Sequence, residues 1–64
     1  MPEAPAPTDY RAYVLNEDDH IIDRHDFTAA NSAAALAHAA QYVVGHDVEV
    51  WLRDQFIGRL KHKR

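Results

Sequence analysis

Asn31-Ser-Ala-Ala-Ala-Leu-Ala-His-Ala-Ala-Gln-Tyr-Val-Val-Gly45 is the stretch on which the reading of this chain turns. The Asn31 side chain is suited to accept a hydrogen bond from the first helical turn, and Gly45 stands where a left-handed residue ends a helix. The segment between them predicts a helix of about thirteen residues, Ser32 to Val44. At 100° per residue, Ala35, Leu36, Ala39, Tyr42 and Val43 share one stripe, with His38 at its border and Ala37, Gln41 and Val44 opposite. A stripe rich in alanine lets a helix lie close against a sheet, and Leu36, Tyr42 and Val43 then supply most of its buried area.

On the N-terminal side, Tyr10-Arg-Ala-Tyr-Val-Leu15 has the aromatic and β-branched texture of a strand. The turn formers Asn16-Glu-Asp-Asp19 separate it from a second such run, His20 to Phe27, so the two make a hairpin. Two registers are open: a loop from Glu17 to His20 pairs Leu15 with Ile22 and Arg11 with Asp26, and a three-residue loop pairs Leu15 with Ile21. On the C-terminal side, Asp47-Val-Glu-Val-Trp-Leu52 alternates strictly, and Phe56-Ile-Gly-Arg-Leu60 follows the polar break Arg53-Asp54-Gln55. A three-residue loop there opposes Leu52 to Phe56, Trp51 to Ile57, Val50 to Gly58, Glu49 to Arg59 and Val48 to Leu60, matching apolar and charged pairs alike. The order ββαββ predicts an α+β fold: a four-stranded antiparallel sheet with one helix packed on one face. Residues 10–60 form this single domain. Residues 1–9, which hold all three prolines, read as a disordered Pro/Ala-rich tail, and 61–64 as a basic C-terminal tail.

Composition bounds the function. Of the 64 residues 47% are hydrophobic, but 11 are alanines, so one small core is affordable and a deep catalytic cleft or cofactor cavity is not expected. With no cysteine there is no disulfide, thiolate nucleophile or Cys-based metal site. The net charge of −3 is poor for a generic nucleic-acid binder. Acidic residues dominate the first half, while Arg53, Arg59, Lys61, Lys63 and Arg64 make the end basic. No apolar run has the roughly 18 residues of a membrane span, and the start lacks the pattern of a secretory leader, which points to a cytoplasmic protein.

Taken together, Tyr10-Arg11-Ala12-Tyr13, His20-Ile21 after an acidic turn, Ala35 and Ala39, Val48-Glu49-Val50-Trp51 and Arg59-Leu60 resemble a group of short, functionally uncharacterised alphaproteobacterial proteins. The resemblance covers residues 10–60 and implies a small stand-alone bacterial domain of unknown function. It brings no catalytic residue with it. The chain departs from that pattern at Arg53-Asp54-Gln55, where a Gly-containing turn belongs.

In the matched register the second hairpin sends Val48, Val50, Leu52, Phe56 and Leu60 to one face and Glu49, Trp51, Ile57 and Arg59 to the other. One helix covers one face only. The other is therefore expected to hold an apolar patch centred on Trp51 and Ile57, rimmed by Glu49 and Arg59 and extended by Val14 and Ile22, through which the chain forms a homodimer. Metal, calcium and catalytic readings are weaker. The five histidines lack ligand spacing, Glu17-Asp18-Asp19 lacks the cadence of a calcium loop, and no phosphate loop or nucleophile motif occurs, so a non-enzymatic interaction domain without cofactor is expected. The alternative is nucleic-acid binding through Arg53, Arg59, Lys61, Lys63 and Arg64 with the neighbouring aromatics.

Overall fold

A computed structural model describes residues 7–62. Lys63 and Arg64 of the basic tail, and all of the proline-rich segment before Pro7, lie outside the described residues. The elements run β1 (Thr8–Leu15), β2 (Ile21–Ala29), α1 (Ser32–Ala39), β3 (Asp47–Leu52) and β4 (Gln55–Leu60). All four strands form one antiparallel sheet in the order β2-β1-β3-β4, with α1 on one face: the α+β, ββαββ arrangement. Strand β1 begins at Thr8 rather than after residue 9, because β2 runs on to Ala29 and gives Thr8 and Asp9 cross-strand partners.

The helix begins as its sequence dictates, with the Asn31 side chain accepting the Ala34 N–H at 2.8 Å. It stops earlier. Beyond Ala39 the chain tightens into one 3-10 turn, Ala40–Tyr42, and Val43 leaves the helical region while its N–H still bonds the Ala40 carbonyl. Two consecutive β-branched residues favour that exit, and Gly45, at φ 75°, completes it. Tyr10, Ala12 and Val14 of β1 and Val48 and Val50 of β3 form the core with Ala35 and Ala39, while Phe27, Leu36, Tyr42, Val43, Leu52, Ile57 and Leu60 pack around it. Val14 is thus a core residue under the helix, not part of the helix-free face as expected.

Both hairpins contain a residue more on the outer strand than on the inner one. In the first, Leu15 pairs with Ile21 while Arg11 pairs with Asp26, and Ile22 is the extra residue between the two registers. Each candidate register therefore describes one part of the hairpin. The turn itself is the three-residue version, closed by Asp19 N–H to the Asn16 carbonyl at 3.0 Å, with Asp19 at φ 62°.

The second hairpin corrects the expected loop. Val48, Glu49 and Val50 pair with Leu60, Arg59 and Gly58 as matched, but Trp51 pairs with Phe56 and Leu52 with Gln55 across the two-residue turn Arg53-Asp54. Ile57 is the extra residue. A bulge absorbs the one-residue difference, so the short turn coexists with the charge-matched register further along. Its consequence is a swap: Ile57 packs against the helix-side core, and Phe56 takes the place beside Trp51.

Two stability outcomes follow. Ala39 has no exposed surface, so Ala39→Leu should cost about 1–3 kcal/mol in urea unfolding through overpacking; a neutral effect would contradict the close helix–sheet approach. Arg53 sits at φ 56° at the first turn position, where glycine is preferred, so Arg53→Gly should raise stability by about 1 kcal/mol despite the added freedom of the unfolded chain.

Candidate functional site

The helix-free face is written by alternation. Two rows of directly opposed residues cross all four strands on this side: Asp26, Arg11, Trp51 and Phe56 in one, and Arg24, Tyr13, Glu49 and Arg59 in the next. Of the residues expected here, Trp51, Glu49 and Arg59 are present, Ile22 is exposed at the bulge in β2, and Ile57 and Val14 belong to the opposite side. Phe56, about half exposed at 49%, is the residue the alternation pattern missed. Its ring meets the Trp51 indole edge-to-face at 5.4 Å, and the indole N–H donates to Glu49 at 3.2 Å.

Around this aromatic corner the face is more polar than a greasy patch. Arg11 donates to Asp26 and to the Tyr13 hydroxyl, each at 3.2 Å, and Arg24 lies 3.6 Å from the same Asp26 carboxylate. These two hydrogen bonds hold the exposed Arg11 guanidinium more firmly protonated than usual. At the far end, Asp47 is the hub. One of its oxygens accepts from Arg59 Nε at 3.1 Å and Nη2 at 2.8 Å; the other accepts the His62 backbone N–H at 3.1 Å and lies 2.7 Å from His62 Nδ1. Bonding to His62 and Arg59 pushes the Asp47 carboxyl far below the ordinary carboxylate range. Arg59, raised in turn by Asp19 and Asp47, also donates to Asp19 at 2.7 Å and approaches Glu49 at 3.5 Å.

Arg59 spends its guanidinium on three carboxylates, which leaves it unsuited to phosphate; Arg53 lies in the second turn and Lys61 is exposed beyond β4. An open cleft of about 560 Å³ lies over this cluster, bordered by Asn16, Gly45 and His46 as well. Among the described residues no group of three or more His, Asp or Glu is placed to hold a metal ion. Three of the five histidines make side-chain contacts of other kinds: His25 stacks on Tyr42 at 3.9 Å, His38 on Phe27 at 4.4 Å, and His62 bonds Asp47. No helix of the described residues is long and apolar enough to cross a membrane.

The depressed Asp47 acidity has a sign that can be measured. A carboxyl with a lowered folded-state pKa contributes stability that is complete above its unfolded value and is lost as pH falls toward the folded one. The urea midpoint should therefore begin to fall below about pH 5 and go on falling toward about pH 2, and Asp47→Asn should flatten that fall while lowering stability at neutral pH. An unchanged pH profile in the variant would remove Asp47 from the acid response. Compared with protein-family models, curated proteins and solved structures, the chain finds no match in any of the three.

Proposed function

We propose that this chain is a small non-enzymatic interaction domain that self-associates through its helix-free sheet face. One observation carries the reading: a single short helix covers one side of a four-stranded sheet, and the uncovered side presents the Trp51–Phe56 pair with Phe56 half exposed. A rigid aromatic pair with a polar surround of Arg11, Glu49 and Tyr13 has the anatomy of a contact anchor inside a hydrated rim. A second copy is the favoured partner because the face carries both charge signs in alternation, with Arg11, Arg24 and Arg59 against Asp26, Glu49 and Asp47. Such a surface is compatible with itself about a two-fold axis, whereas a strongly basic or acidic partner meets like charges on it.

Sedimentation of the wild type, Trp51→Lys and Phe56→Lys tests this. The wild type should self-associate, and both variants should lose the face contact and sediment as a smaller species than the wild type. Phe56→Lys is the cleaner probe, since an exposed residue is changed without touching the core. A wild-type chain that stays monomeric at high concentration would refute the proposal.

A further inference from the structure

The two outer strands differ in what they offer at their edges. β4 has its extra residue, Ile57, in mid-strand, which breaks the regular spacing of its outward backbone groups. β2 carries its extra residue at Ile22, near one end, and from Asp23 to Ala29 it pairs with β1 without interruption. Among the described residues the outer edge of β2 has no strand partner. Charges along such an edge ordinarily discourage pairing, and here they also select one register. We infer that β2 pairs antiparallel with β2 of a second copy about a two-fold axis at His25, opposing Arg24 of each chain to Asp26 of the other and joining two sheets into one.

The register follows from parity and charge. In an antiparallel pair related by a two-fold axis, directly opposed residues share a face of the sheet. Arg24 therefore meets the partner's position 22, 24, 26 or 28. Position 22 places Asp23 on Asp23, position 24 places Arg24 on Arg24, and position 28 places Asp26 on Asp26. Only position 26 avoids a like-charge pair of Asp or Arg, and it makes two opposite-charge pairs. His25 is also the middle residue of Ile21–Ala29, so the same register uses the whole strand. The side chains are accessible: Arg24 and Asp26 are 55% and 59% exposed, their own contact through Asp26 Oδ2, at 3.6 Å, is long, and Arg11 engages only Oδ1 of Asp26. This contact lies at the sheet's edge, apart from Trp51 and Phe56, and extends the self-association proposed above to a second surface.

A charge-reversal mixture tests it, in the Phe56→Lys background so that the face contact is absent. That chain should remain dimeric. Adding Arg24→Asp opposes two aspartates twice, and adding Asp26→Arg opposes two arginines twice, so each should weaken association at least about tenfold. Mixed in equal amounts, the two variants should dimerise with each other, since each mismatch then becomes an ion pair. Circular dichroism of the separate variants establishes that they are folded. Monomers in the Phe56→Lys background alone would overturn the edge contact and leave the face contact standing; a monomeric wild type would overturn both. Dimers indifferent to both reversals, or variants that fail to pair on mixing, would overturn this register.

Discussion

Closeness between α1 and the sheet governs the rest of the molecule. Ala12, Ala35, Ala39, Val48 and Val50 have no exposed surface at all, and none is larger than valine. Small side chains let the helix sit low on the sheet, and Gly58 extends this to β4: a Cβ there would come within 3.2 Å of Leu36. A core of such residues buries modest area, so the helix is held at its margin by stacked rings, Phe27 on His38 and His25 on Tyr42. These stacks tie β2, an outer strand, to the helix and its 3-10 extension. A lid this short has no reach to the other side of the sheet.

The element order, the two hairpins and the helix-facing stripe were legible because each rests on a local rule. Asn31 caps, Ala35 and Ala39 lie a helical turn apart, and Val48 and Val50 alternate, whereas Gly45 marks the helix end several residues too late. What local rules do not contain is the bulge. A bulge appears when two local preferences disagree by one residue: Arg53-Asp54 closes a tight turn, while Glu49 and Arg59 further along prefer to face one another. Pattern reading treats such options as exclusive and selects one; the backbone satisfies both by extruding Ile57. The same compromise at Ile22 reconciles the two registers of the first hairpin.

For the candidate site this difference of one residue matters more than for the fold. Alternation located Trp51, Glu49 and Arg59 but exchanged Phe56 with Ile57, because the residues of the bulged strand between the bulge and the turn change face. The Asp47 cluster was opaque for another reason. Asp19, Asp47, Glu49, Arg59 and His62 come from a turn, two strands and the segment after β4, and only the Glu49–Arg59 pair was implied by register. Their convergence depends on β1 and β3 being neighbours, so that the first turn lies beside the start of β3. Strand order, not sequence spacing, assembles it.

That cluster also shapes the surface available to partners. By gathering Arg59 and three carboxylates at one end of the helix-free face, it confines the exposed aromatic surface to the opposite end, at Trp51 and Phe56. Each carboxylate placed on Arg59 is one fewer to attract a cationic partner, and Arg59 is one fewer cation for a nucleic-acid backbone. What remains unengaged is compact and apolar at the corner, and alternately charged along β2. The first favours contact by burial, the second by register. A chain with so little core is well served by both, since association on either surface adds buried area that a single short helix does not provide.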